Sequence, residues 1–289
     1  MTDKVRADVA LVNRGLAESR EKAQAAIMAG LVYIGERKIN KASETVRPED
    51  SLILREQSAG YVSRGALKLE KAIRVFQADL RGKVIVDIGA STGGFTDVCL
   101  RYGAEKVYAI DVGYGQLDWK LRNDPRVVVM ERTNARYLTP LMFAEKPEIA
   151  VMDVSFISVK LIIPAAASVI GKNGVFYSLI KPQFEAGKGK VGKKGVVRDP
   201  ETHMDVIRDI AGFVNSCGWE IRRLDYSPIT GPEGNIEFLA EIRNGITQEG
   251  ISEEKIRMTV TDAHRRLKHA ENIQMLPGTD GGDDETCSK

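Results

Sequence analysis

Cysteine is scarce in this sequence. Cys99, Cys217 and Cys287 are scattered and odd in number, with no Cys-x-x-Cys pair and no histidine at metal-ligand spacing. A disulfide framework and a zinc site are therefore disfavoured, no metal is expected, and a reducing compartment fits. No apolar run is long enough to span a bilayer. The opening residues, MTDKVRADVALVNRGL, carry charges where a secretory signal needs an apolar core. A cytoplasmic protein with no membrane partner is expected. Net charge is only +2, so any affinity for nucleic acid must be local. What remains is a chain of 289 residues, 43% hydrophobic and 28% charged, globular in composition and long enough for two domains.

Residues 1–58 read as a small α+β unit. Val9, Ala10, Val12 and Leu16 carry a first helix. Ser19 caps a second, with Arg20 and Lys22 outside and Ala26 and Ile27 inside, and Gly30 ends it. LVYIGERKI alternates as a hairpin with Gly35 near its turn, and RPEDSLIL adds a last short strand. So small a unit suits an appended binding module. Lys4, Arg6, Arg14, Arg20, Lys22 and Arg37 give it a basic surface. EQSAG, residues 56–60, reads as a linker, and the segment between the two domains is placed at 59–64.

From residue 65 to 270, strand and helix patterns alternate. KVIVDIGA, KVYAIDVG, RVVVMERT, EIAVMDVSF, GVFYSLIKP and EIRRLDYSP are apolar strand-like runs separated by helical stretches, as in an α/β doubly wound sheet. IEFLAEIR reads as a final edge strand, and residues 271–289, polar and Gly-rich, as a disordered tail.

VDIGASTGGFTDVCL, residues 86–100, is a strand, a Gly-rich turn and a helix. Its glycines fall as Gly-x-x-x-Gly-Gly rather than Gly-x-Gly-x-x-Gly, which disfavours a pyrophosphate. Asp87 places a carboxylate where an amino group binds, and Asp111, ending the next strand, suits two ribose hydroxyls. An acidic site of this kind fits the positive S-adenosylmethionine better than NAD. Asp153 and Lys181 end two further strands, Glu237 lies in IEFLAEI, and Lys68 stands in YVSRGALKLEKAI among small and apolar neighbours. Each alone reads as a solvated surface charge. Together they make two cations and two anions that can converge on one crevice.

At YVSRGALKL, DIGASTGGFTD, AIDVGYGQL, MDVSFIS and IKPQFEAGKGKVGKKGVVRD the chain resembles the TlyA family, historically named hemolysins. The resemblance covers nearly all of the chain except the tail. It implies a Rossmann-like, FtsJ-like S-adenosylmethionine-dependent methyltransferase domain behind an N-terminal S4-type RNA-binding domain. It further implies 2'-O-ribose methylation of 16S and/or 23S ribosomal RNA at cytidine, with ribosomal subunits as partners. The family's Lys–Asp–Lys–Glu tetrad falls on Lys68, Asp153, Lys181 and Glu237. Its cofactor contacts fall on Asp87, Gly89, Ser91, Thr92, Gly93, Gly94, Phe95, Asp111, Asn134 and Asp153, although ERTNAR has no acid where related methyltransferases often have one. RNA contact is implied for Arg6, Arg14, Ser19 and Arg20.

A ribose hydroxyl is a poor nucleophile at neutral pH and needs a base. The expected base is Lys181, with Asp153 as its orienter and Lys68 and Glu237 positioning the substrate; Lys68 serves equally to stabilise an alkoxide. After Lys181, Lys188, Lys190, Lys193, Lys194 and Arg198 punctuate a Gly-rich loop that is placed to grip phosphates. The linker's position leads us to expect that it couples RNA docking to cofactor affinity. Three rival readings compete: a non-catalytic RNA-binding or assembly factor, a methyltransferase acting on a small molecule or protein, and a membrane-active hemolysin. The last needs an amphipathic or spanning segment that the chain lacks.

Overall fold

The computed structural model describes residues 4–28, 31–35, 37–39, 41–54, 60–187, 189–192, 195–231, 233–247 and 250–274. Gly30, Ser58, Lys188, Lys193, Lys194 and residues 275–289 lie outside the described residues, as do the expectations placed on them.

In the first unit, β1 (Val5–Arg6) pairs antiparallel with β4 (Thr45–Val46), and β2 (Val32–Ile34) lies between β3 (Arg37–Lys38) and β5 (Leu52–Leu54). Helices α1 (Ala7–Asn13) and α2 (Arg20–Met28) pack against each other over these strands. The buried stripe of α1 is Ala7, Ala10 and Leu11, whereas Val9 and Val12 are half-buried. Of the expected face, Ala10 is buried and Val12 and Leu16 pack against this core, whereas Val9 does not join it. Close approach of two short helices favours small alanines, which a hydrophobicity ranking puts below valine. Ser19 Oγ does accept the Lys22 N–H at 3.2 Å, as a cap should. Asp8 is fully buried and accepts from Arg6 Nε and an Arg6 terminal nitrogen (3.0 and 2.9 Å), from Arg20 (3.2 Å) and from Gln24 (2.8 Å).

The second unit is a seven-stranded sheet. Its strands are β6 (Val84–Ile88), β7 (Lys106–Ile110), β8 (Val127–Met130), β9 (Ile149–Met152), β10 (Val175–Ile180), β11 (Trp219–Tyr226) and β12 (Phe238–Asn244). They lie in the order β11-β12-β10-β9-β6-β7-β8. The five strands from β10 to β8 are parallel, and β12 runs antiparallel to both its neighbours. Side chains alternate in β6: Val84, Val86 and Ile88 join one core layer and Ile85 the other. The second layer is closed by α3 (Ala66–Phe76) and α4 (Gly94–Arg101), with Leu121 of the short α5 (Trp119–Arg122), and the first by α6 (Ile163–Ile170), α8 (Pro200–Ser216) and α9 (Glu253–Gln274); the short α7 (Pro182–Glu185) follows β10.

Two expectations are corrected here. IEFLAEIR is not an edge strand, because β12 sits between β11 and β10. Glu237, which alone reads as a solvated charge, is 1% exposed, and Glu241 is buried beside Arg243, 2.6 Å away. The helix α9 continues through Gln274, four residues into the stretch read as tail. It buries Ile256, Val260, Ala263 and Leu267, one stripe at helical spacing.

The order reverses between β6 and β9, with β7 leading one way and β10 the other. In open parallel sheets a crevice forms at such a switch point, beyond the carboxyl ends of the strands.

Candidate active site

The turn after β6 is built for close approach. A side chain at Gly89 would put Cβ 2.6 Å from the Asp153 carbonyl oxygen, and Gly93 holds φ +96°, a left-handed conformation that favours glycine. Asp111, beyond β7, braces the same turn. Its two carboxylate oxygens accept the N–H groups of Ser91 (2.8 Å) and Gly113 (2.7 Å). Asp87 is fully buried below the turn. One of its oxygens accepts from Thr96 Oγ1 at 2.6 Å, and the other has no hydrogen-bond partner. Burial raises its carboxyl to about 7. An unsatisfied buried acid beneath a glycine turn fits a positively charged group, as S-adenosylmethionine carries.

The tetrad residues come from four separate segments and meet. Lys68, the third residue of α3, donates to Glu237 at 2.7 Å and to Asp153 at 3.4 Å. Lys181, just past β10, lies 2.6 Å from the other Asp153 oxygen and donates to Ser155 Oγ at 3.0 Å. The result is a chain of alternating charge, Lys181–Asp153–Lys68–Glu237. Burial disfavours the charge on Lys68, but Asp153 and Glu237 outweigh it and hold the ammonium above its ordinary range. Burial likewise works against Asp153, and the Lys68 and Lys181 charges overcome it and keep the carboxyl low.

Both halves of the site open into one cavity of about 840 Å³. Gly89, Ser91, Thr92, Gly94 and Phe95 line it from the cofactor turn, and all four tetrad residues line it as well. Asn134 does not. It is exposed, and its Oδ1 accepts the Arg136 N–H as a local cap. Asp87 and Asp111 lie behind the lining, and Asp111 bonds the turn that forms it.

Sequence reasoning missed several wall residues. Phe156 is 90% exposed at φ +64°, a strained conformation for a bulky residue, with its ring centroid 5.1 Å from that of Phe184. Gln183 donates to Glu237 at 3.2 Å. Both lie inside quoted motifs, but nothing in the spacing marks them out. Among the described residues no cluster of histidine, cysteine or carboxylate side chains is arranged to hold a metal.

Comparison with known proteins agrees with this geometry. The FtsJ-like methyltransferase model matches residues 61–243, and the S4 domain model matches residues 5–52. This chain belongs to the FtsJ-like methyltransferase family. It is 51% identical over 269 residues to the Bacillus subtilis protein named "Putative rRNA methyltransferase YqxC", covering 92% of this chain and 96% of that one. It is 43% identical over 244 residues to the 16S/23S rRNA (cytidine-2'-O)-methyltransferase TlyA of Mycobacterium tuberculosis, covering 84% and 91%. A solved "Putative hemolysin" from Streptococcus thermophilus superposes with a TM-score of 0.75 at 43% identity, covering 94% of this chain and 100% of that one. The expected family and S-adenosylmethionine-dependent methyltransferase fold are therefore established.

The FtsJ-like unit is fastened to the segment that enters it. Tyr61 is buried and donates to Glu70 at 2.8 Å, Val62 N–H donates to Asp97 at 3.0 Å, and Ser63 lines the cavity. In the S4 domain, Arg6 and Arg20 converge on Asp8 and stay about half-exposed, at 46% and 55%. Arg14 is held by the backbone carbonyls of Arg47 (2.8 Å), Pro48 (3.2 Å) and Asp50. Lys190 pairs with Asp205 at 2.8 Å.

Proposed function

We propose that this protein methylates the 2'-hydroxyl of a ribose in ribosomal RNA, with S-adenosylmethionine as the methyl donor. The observation that carries this reading is the Lys181–Asp153–Lys68–Glu237 chain sharing one cavity with the glycine turn. The cofactor supplies a methyl group already activated by sulfonium charge, so much of the protein's work is alignment. Asp87, Asp111 and the turn from Gly89 to Phe95 hold it. Lys181, once neutral, takes the hydroxyl proton; Asp153 aims Lys181 and keeps Lys68 in place. Lys68 stays charged and stabilises the alkoxide that develops, while Glu237 fixes Lys68. Exposed Phe156, beside half-buried Phe184 at the cavity, offers a stacking face for an unpaired base.

The TlyA names support 16S or 23S RNA as substrate and cytidine as the target. Arg6, Arg14, Ser19, Arg20 and Lys190 would contribute to docking through phosphates and RNA shape. The fastening of residues 61–63 to the glycine-turn helix gives the linker a physical route to cofactor affinity. The reading as a binding factor without chemistry is weakened because all four tetrad side chains are present and in contact. The hemolysin reading finds no spanning helix among the described residues.

The test is transfer of labelled methyl from S-adenosylmethionine to unmodified ribosomal subunits, with the product nucleoside identified. A 2'-O-methylated nucleotide at a single mapped position is expected. Label on a base, on protein or nowhere overturns the reading.

A further inference from the structure

Asn235 has no part in the tetrad, yet it lines the same cavity and is only 4% exposed. Its side chain reaches across to a different segment. Oδ1 accepts the Val197 N–H at 3.0 Å, and Nδ2 donates to the Gly195 carbonyl at 3.0 Å. An amide is the side chain that serves one N–H and one C=O at the same time. A carboxylate has no donor, and an aliphatic residue has neither function. Gly195 also lines the cavity, while Val196 and Val197 are buried.

The grip on this segment is two-sided. The Val197 carbonyl lies 3.2 Å from His203 Nε2, on α8, and His203 Nδ1 lies 2.9 Å from His264 Nε2, on α9. A carbonyl only accepts, so His203 carries its proton on Nε2 and accepts from His264. From the other side, Asn235 lies two residues before Glu237. The turn between them and Gly231 is closed by the Gly231 N–H on the Asn235 carbonyl at 2.9 Å. Gly231 itself is so near the tetrad that a Cβ there would lie 3.0 Å from Glu237 Oε1. One short turn thus sets both a tetrad carboxylate and the foot of the cationic segment.

We propose that Asn235 is a positioning residue for the RNA substrate: it clamps the Gly195–Val197 backbone to the turn that leads into β12 beside Glu237, and so fixes the approach to Arg198 at the cavity wall. The inference rests on the reading of the site as an RNA methyltransferase centre. Among the described residues, Gly195 and Val197 make their hydrogen bonds to Asn235, Gly192 and His203 rather than to the glycine turn, so the clamp is expected to act on substrate more than on cofactor.

The experiment compares the full-length wild type with Asn235→Ala and Asn235→Asp. The second is nearly isosteric and keeps the acceptor for Val197, but sets a carboxylate oxygen against the Gly195 carbonyl. Four quantities are read: amide exchange at Val197, affinity for S-adenosylmethionine, direct RNA affinity and the KM and kcat of transfer. In both variants RNA affinity should weaken and RNA KM should rise, each by about tenfold, as expected of a misplaced contact segment. Cofactor affinity should stay within about threefold, and Val197 exchange should accelerate in Asn235→Ala, which loses the acceptor, while the sheet amides stay protected. Unchanged RNA affinity in both variants overturns the clamp, as does loss of cofactor affinity in step with RNA affinity. A wild type that binds RNA but transfers no methyl counts against the methyltransferase reading instead, and the direct RNA affinities still decide the clamp.

Discussion

Lys68 Nζ sits 2.7 Å from Glu237 Oε2, with 9% and 1% of the two side chains exposed, though 169 residues separate them in sequence. Such a pair joins the first helix of the methyltransferase unit to the residue that leads into β12, an inner strand of its sheet. Removing Glu237 leaves Lys68 with only the longer Asp153 contact, at 3.4 Å, and breaking a buried pair costs about 3–5 kcal/mol, whereas replacing both partners with apolar groups of similar size is often neutral. Glu237→Ala should therefore lower stability by several kcal/mol and abolish transfer. The double variant Lys68→Met/Glu237→Leu should regain most of the stability in denaturant unfolding and remain inactive. Activity in the stable double variant would show that the pair is only a structural tie.

Asp87 should make cofactor binding pH-dependent. Its carboxyl is raised from 3.8 to about 7 by burial in the ligand-free protein. A positive ligand prefers the ionised form, so affinity for S-adenosylmethionine should fall about tenfold per pH unit below 7 and level off above it. The sign for the fold is opposite. Between pH 3.8 and about 7 the native state holds a proton that the unfolded chain has lost, so ligand-free stability declines as pH rises through that window. Calorimetric titration from pH 5.5 to 8.5 checks the first statement. Asp87→Asn should bind weakly with a flat profile; a wild-type slope persisting in that variant assigns the titration to another group.

Much of this site is legible in the sequence. Strand-end positions of Asp87, Asp111, Asp153 and Lys181 follow from the alternation of apolar runs and helices, because a parallel sheet gathers its strand ends on one side. The glycine turn is equally local. What is not legible is pairing between distant segments. Lys68 and Glu237 read as surface charges because sequence gives no hint that each is the other's partner in the interior. The same blindness made β12 look like an edge, and it hid Asn235, whose two contacts lie some forty residues upstream. The Phe156 backbone conformation is a tertiary outcome that no periodicity encodes.

The S4 domain has its own buried charge. Asp8 accepts four side-chain hydrogen bonds, chiefly from Arg6 and also from Gln24 and Arg20, and these hold its carboxyl well below the usual range. A depressed carboxyl contributes stability above its unfolded value, near 3.8, that is lost as pH falls further. Asp8→Asn should cost on the order of 2 kcal/mol, the range for hydrogen bonds to a charged group. It should also release Arg6 and Arg20 from a common position. RNA affinity is expected to drop while cofactor affinity does not change, as filter binding and calorimetry can show. A variant with full RNA affinity would mean that the two arginines need no fixed geometry to bind.

RNA docking through these arginines and Lys190 should also carry a salt signature. Affinity should fall linearly in log–log terms with salt, and Arg6→Ala and Arg20→Ala should each lower the slope by about one. Salt-independent binding would contradict phosphate recognition.

The most direct test of the central claim is single-turnover methyl transfer to unmodified ribosomal subunits by wild type and Lys181→Ala, with S-adenosylmethionine affinity measured on the same samples. The account predicts a mapped 2'-O-methyl with wild type, and a loss of at least about a hundredfold in the variant, the scale of a general base, with cofactor affinity nearly unchanged. Wild-type transfer rates in Lys181→Ala would contradict the role assigned to Lys181.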